Sequence, residues 1–348
     1  MAFKNLSPLK VITPIKAGQK KHFKNLVGAN LSISLTEVIQ SIPQQHLLIT
    51  DTAQSATKLQ QELQYLLPKR ADSIYHFPDL EILPYDNFSA SEDILSERMR
   101  TLYDIQSNRQ AIVIVAINTL LKRLPPAHFI TAQTFVVRVG QKIKLEHERL
   151  KLENSGYQFV NQVLQRGEFS IRGSILDIFP MGANTPYRID LFDDEIDTIR
   201  AFDLDTQRSQ ETITKVEILP THEYLPEYQN INIFAKNWQA HFNDRGLKSS
   251  PYEITMQGGY APGMEFYLPL FYEETTNLTD YLAQDSVITH VYETADHAQH
   301  FWLDINTRYD QLSHDIQNPI LNPEALYFSA ESLFSILKSH PQIHFHRG

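Results

Sequence analysis

Residues 156–208 read GYQFVNQVLQRGEFSIRGSILDIFPMGANTPYRIDLFDDEIDTIRAFDLDTQR, and the alternation inside them decides the fold of the middle of the chain. Tyr187, Ile189 and Leu191 alternate with Arg188, Asp190 and Phe192, the period-2 pattern of a half-buried strand. Upstream, Phe169 and Ile171 alternate with Glu168, Ser170 and Arg172. Gly173 is expected to mark a bulge. Met181–Asn184 is turn chemistry, Pro186 opens the next strand, and a third strand spans Glu195–Phe202. The product is an antiparallel sheet with one apolar face and one polar face. Phe192 breaks that pattern, because it puts an aromatic ring on the polar face between charges. Two readings stand. An aromatic flanked by arginines is the composition of a protein-binding hot spot, and a lone surface phenylalanine is also ordinary.

Before this stretch the periodicity changes. Leu35, Val38, Ile39 and Ile42 sit at helical spacing and end at Pro43, and His46–Thr50 reads as a short buried strand. Asp51 or Thr52 caps the next helix, which stops before Pro68, and Ile74–Phe77 is a further strand. A helix over Ser91–Ser107 gathers Ile94, Leu95, Met99, Leu102 and Ile105 on one face, and Ala111–Ile117 is a continuous apolar strand. Strand–helix alternation of this kind predicts a parallel sheet with helices on its faces. A phosphate loop would be expected within LVGANLSISLTE, residues 26–37, but only Gly28 of the G-x-x-x-x-G-K-[ST] pattern is present. The α/β region therefore reads as a nucleotide-binding fold without its nucleotide site. Phe129–Val139 reads as a strand leaving the first domain, followed by a helix over Leu145–Asn154 closed by Gly156. Beyond the central stretch, Thr214–Leu219 reads as a strand and Asn232–Leu247 as a helix. Ser286–Tyr292 and Ile343–Phe345 read as strands, packing back on the first sheet, while residues 249–281 show no clear period.

A chain of 348 residues exceeds one ordinary core and predicts two or three domains. Its formal net charge of −10 argues against a dedicated DNA-binding module. The absence of cysteine excludes disulfides, thiol nucleophiles and cysteine-ligated zinc. The longest apolar run, Ala111–Ile117, is far short of the ~20 residues of a membrane helix. With no apolar leader after the N-terminal lysines, the expectation is a soluble cytoplasmic protein without membrane contact. Lys4, Lys10, Lys16, Lys20, Lys21 and Lys24 form a basic arm, read as a solvated leader plus a helix or as a nucleic-acid contact. Asp193, Asp194, Glu195 and Asp197, with Asp177 and Asp190, cannot all converge on a metal, since neighbours on a strand face opposite ways. His297 and His300 lack a third ligand nearby, and His344 and His346 share one face of a strand. The expectation is no metal, no cofactor and no catalytic residue.

The run RGEFSIRGSILDIFP followed by YRIDLFDDEIDTIRAFD, with LPYDNFS and DILSERMRTLY before it and ILPTHEY after it, resembles the bacterial transcription-repair coupling factor family (Mfd). It is similar, more distantly, to the excision-repair helicase UvrB. The resemblance implies three units: a degenerate RecA-like parallel-sheet domain at 1–132, an inserted α+β antiparallel-sheet domain at 133–220, and a mixed α/β subdomain at 221–348. These correspond to UvrB domains 1a, 2 and 1b. UvrB carries an intact phosphate loop where this chain and its family do not. The chain is also too short between Tyr85 and Ile94 for UvrB's DNA-clamping hairpin.

Membership of this family implies a non-catalytic recruitment module that binds the damage-recognition protein UvrA. RNA polymerase and DNA would be bound through downstream domains of the same protein, which lie outside this sequence. The positions implied for UvrA contact are Arg172, Arg188 and Phe192. Asp190 is expected to hold Arg188 in place, and Arg166 is a weaker candidate, because part of the family has no arginine there. The competing readings are an ATPase or helicase fragment with a non-standard phosphate loop, and a DNA-binding module using the lysine arm.

Overall fold

Every residue of His46–Thr50 and of Ile112–Ala116 is buried, the condition of strands inside a parallel sheet covered on both faces. The structure, a computed structural model, describes residues 16–26 and 28–347; the first part of the lysine arm lies outside them. In chain order the first elements are β1 (Lys20–Phe23), α1 (Ala29–Ser41), β2 (His46–Thr50), α2 (Ala53–Leu66), β3 (Ile74–Phe77), α3 (Glu92–Ser107) and β4 (Ile112–Ala116). Thr52 caps α2 by accepting from the Ser55 amide at 3.2 Å, and Ser91 caps α3 in the same way from Ile94.

The chain then leaves through β5 (Phe135–Arg138) and builds β6 (Gln158–Phe159), β7 (Glu168–Arg172), β8 (Ile175–Ile178), β9 (Tyr187–Phe192), β10 (Glu195–Phe202) and β11 (Ser209–Ile213). It returns along β12 (Lys215–Ile218), which pairs antiparallel with β5. Helices and short 3-10 turns follow, then β13 (Val287–Val291), the helix Thr294–Leu312 and β14 (Gln342–Phe345).

Two six-stranded sheets result. The first runs β1-β14-β13-β2-β4-β3, all parallel. The second runs β11-β10-β9-β8-β7-β6, antiparallel except for β6 beside β7. One face of the parallel sheet, with Leu48, Ile112 and Ile114, packs on α1 and α2. The other, with Leu47, Val113 and Val115, packs on α3, and that core runs on without a break into the inner face of the second sheet through Phe169, Ile189 and Ile199. The fold is α/β with an inserted antiparallel sheet, as the sequence implied.

Several elements differ from the sequence reading. Lys20–Phe23 is an edge strand beside β14, where the exposed Lys20 helps protect an open edge. Residues Ala127–Gln133 form a helix, and only Phe135–Arg138 is strand. Gly173 makes no bulge: Arg172 pairs with Ile175, so Gly173 and Ser174 are a two-residue hairpin turn, with glycine at φ +62°. The bulge lies in β10, where the register against β9 shifts between Ile196 and Thr198. The helix expected at Asn232–Leu247 occupies Tyr228–Phe242. Glu168 and Ser170, assigned to water by alternation, are buried. The loop before β7 folds over that end of the sheet: Glu168 accepts from the Leu164 and Gln165 amides, and Ser170 donates to the Asn161 carbonyl.

Candidate functional site

Strand register places the candidate residues on the outer face of the second sheet. Ser170, Asp177, Arg188 and Arg200 stand side by side across β7, β8, β9 and β10. The next rung is Arg172, Ile175, Asp190 and Thr198, and beyond it Phe192 stands opposite Glu195. Tyr187, Ile189 and Leu191 take the inner face. Phe192 and Arg188 are four residues apart on β9, about 13 Å along the strand. Phe192 is 81% exposed. Its ring stands at the open end of β9, next to the Asp193–Asp194 turn, in which Asp193 has φ +60°.

A buried carboxylate organises the arginines. Asp177, whose side chain is 2% exposed, accepts from Arg188 through Nε at 2.8 Å and Nη2 at 2.9 Å. It also accepts from Arg172 Nη2 at 2.8 Å. The planar guanidinium fork of Arg188 fits the two oxygens in a bidentate pair, which lysine could not make. Arg188 donates once more to the Gln207 carbonyl and lies 4.9 Å from the centre of the Phe202 ring. Hydrogen bonding to Asp177 holds the Arg188 pKa above its ordinary value. The Arg188 side chain is 17% exposed and that of Arg172 is 56% exposed, so only Arg172 has much of its guanidinium in solvent.

Two of the expected residues lie apart from the arginine–Asp177 cluster. Asp190 makes no hydrogen bond to Arg188. It accepts from Thr198 Oγ1 at 3.3 Å, because Asp177 lies directly across the antiparallel pair from Arg188 while Asp190 is two residues further along the same strand. Arg166 does not join the patch. Its guanidinium pairs with Asp93 in the first turn of α3, donates to the Ala183 carbonyl and lies over the Phe179 ring, bracing the inserted sheet against the parallel-sheet unit. Asp177 is the residue the sequence reading missed. It had been weighed only as part of an acidic run, although its parity across β8 and β9 was the signal.

The other candidate sites resolve differently. Among the described residues no group of three or more histidine, aspartate or glutamate side chains is placed to hold a metal. Among the described residues no helix is long and apolar enough to cross a membrane. At Gly28, the N-cap of α1, a cavity of about 190 Å³ remains, smaller than the ~300 Å³ at which ligand pockets begin. Arg347 lines it but is engaged by Asp51 at 2.8 Å and Glu293 at 3.8 Å.

Residues 135–224 match the family described as the UvrB interaction domain, a span that begins at β5 and ends just past β12. This middle part of the chain is therefore a UvrB interaction domain. A transcription-repair-coupling factor from Haemophilus influenzae is 32% identical over 335 residues, 95% of this chain and 29% of that protein. The one from Escherichia coli K12 is 32% identical over 331 residues, again 95% of this chain and 29% of its own length. The Staphylococcus aureus NCTC 8325 protein is 38% identical over 203 residues, 58% of this chain and 17% of its own. The chain belongs with the UvrB-like region of the transcription-repair-coupling factors, and it spans less than a third of the length of these relatives.

Proposed function

We propose that the chain is a recruitment module, without catalysis of its own, that binds UvrA and so brings nucleotide excision repair to RNA polymerase stalled at damaged DNA. In this reading residues 133–220 are the binding domain, and residues 1–132 and 221–348 form the body that carries it. Contacts with RNA polymerase and DNA belong to other parts of the longer protein. The observation that carries the reading is the outer face of the second sheet, where an exposed Phe192 stands beside arginines already fixed by Asp177. Preset side chains lose little freedom on binding, which favours affinity. Phe192 supplies the apolar anchor and Arg172 a guanidinium that a partner carboxylate can share. Arg188 holds the Asp177 carboxylate that Arg172 also binds.

Titration calorimetry with purified UvrA tests this. Phe192→Ala should weaken binding by about 2 kcal/mol or more, roughly thirtyfold, as a central anchor does. Its urea midpoint should stay at the wild-type value, because the ring is in solvent. Undiminished UvrA affinity in a folded Phe192→Ala protein would overturn the proposal.

A further inference from the structure

The carboxyl ends of β2, β3 and β4 open on a cavity of about 320 Å³ that is remote in role from the binding face. It is bounded by Ala53 beyond β2, the segment Asp79–Pro84 beyond β3, and Ala116 at the end of β4, with Phe266, Phe301 and Tyr327 completing an apolar wall. Open parallel sheets take their ligands at this end of the strands, and the volume is within the range of small-molecule sites. None of its lining residues is shared with the cavity over Gly28.

Two cations are buried in its lining. Arg98 is fully buried. Its Nε donates to Glu223 at 2.5 Å and its Nη1 to the Pro78 carbonyl at 2.7 Å, but its Nη2 has no partner. Lys122, also buried, donates to the Glu265 carbonyl at 3.0 Å and lies 5.1 and 5.5 Å from the Phe266 and Tyr327 ring centres. An ammonium carries three donors, so the lysine has capacity to spare.

The acids that face these cations are already engaged. Glu223 accepts from Arg98. Asp79 accepts from Thr119 Oγ1 and the Glu81 amide. The Glu265 carboxylate accepts from the Ala90 amide and Ser89 Oγ. A buried guanidinium nitrogen without a partner is a feature that needs an explanation in a folded protein.

We propose that this cavity binds a small monocarboxylate with an apolar body. The carboxylate accepts from Arg98 Nη2 and Lys122, and the body lies against Phe266, Phe301 and Tyr327. A phosphate dianion fits less well, since most of the wall is apolar and the carboxylates of Asp79, Glu223 and Glu265 lie close by. Burial holds the Lys122 pKa down at about 8, against the raising effect of Glu223, Glu265 and Asp79 and with the lowering effect of Arg98. A carboxylate at Nζ favours the charged amine, so affinity should fall as pH rises past that value.

The test is ligand-observed NMR titration of the whole chain with benzoate and, as the uncharged control, benzamide. Variants are Ala53→Phe, which fills the mouth from an exposed position, and Lys122→Met. Benzoate should bind at least about tenfold more tightly than benzamide. It should lose about tenfold or more in either variant, and should weaken between pH 7 and pH 9.5 in the wild type alone. Equal binding of benzoate and benzamide, or benzoate binding that survives Ala53→Phe, overturns the proposal. If Lys122→Met fails to fold, the Ala53→Phe and benzamide arms still decide it.

Discussion

Replacing Asp177 with asparagine removes the charge around which the arginines of the second sheet's outer face are arranged, while leaving a side chain of the same size. Asp177 accepts three hydrogen bonds from two guanidinium groups. Bonds to charged groups are worth about 1.5–3 kcal/mol each when buried. The bond to Arg172 counts for little, because that arginine is mostly in solvent and exposed ion pairs contribute ~0–1 kcal/mol. Arg188 is mostly buried, and asparagine can still accept one of its two N–H groups. What remains is the loss of one strong bond and of the counter-charge, about 2–3 kcal/mol, less than the ~3–5 kcal/mol expected for removing one partner of a fully buried pair. Urea unfolding with linear extrapolation measures it, the slope remaining that of the wild type. A cycle with Arg188→Met isolates the pair: in that background Asp177→Asn should cost at least about 1 kcal/mol less. An Asp177→Asn protein within about 0.5 kcal/mol of wild type, the range of inert surface changes, would refute the reasoning.

Gly156→Ala should be destabilising by about 2–4 kcal/mol, because its Cβ would stand 1.9 Å from Thr221 Oγ1 and 2.6 Å from the Tyr260 hydroxyl, at φ +91°. An unchanged urea midpoint would contradict this. Burial lowers the pKa of His46 to about 4, of His290 to about 3 and of His344 to about 4. These rings stay neutral in the fold and take up protons in the unfolded chain below its pKa of about 6.5, so stability is present above that pH and is lost as pH falls toward 4. Comparing urea unfolding at pH 7 and pH 5 should show a loss of about 2 kcal/mol from His46, which is fully buried, with a further loss from the stacked His290–His344 pair, and His290→Gln should reduce the difference; equal stability at the two pH values would disprove it. ATP should show no binding by titration calorimetry at millimolar nucleotide, since residues 26–37 lack the second glycine and the lysine of a phosphate loop, while Lys58 at the Gly28 cavity pairs with Glu62 and Arg347 with Asp51 and Glu293; micromolar affinity would sink that expectation.

The readable parts of the sequence were those whose burial follows from local period. The alternation through Tyr187–Phe192 assigned both faces of β9, and the apolar run at Ala111–Ile117 located a central strand. What was missed depends on partners far along the chain. β1 carries two lysines and is a strand because β14, more than 300 residues on, lies beside it. β11, with the sequence SQETI, has almost no apolar signal and is held by pairing with β10. Arg98 belongs to the polar pattern of α3, yet it is buried because Glu223 and the Pro78 carbonyl are brought to it. The proposed binding face divides the same way. Phe192 stood out against its own strand, whereas the role of Asp177 required knowing which residue of β8 lies opposite Arg188.

The chain enters and leaves the inserted sheet through β5 and β12, four paired residues on each side, with Phe135 opposite Ile218 at one end and Arg138 opposite Lys215 at the other. Beside these two strands the core is continuous from one unit to the other, and Arg166 pairs with Asp93 across the junction. Such a joint is braced on its flanks rather than hinged, so that turning the body of the protein would turn the outer face of the second sheet with it.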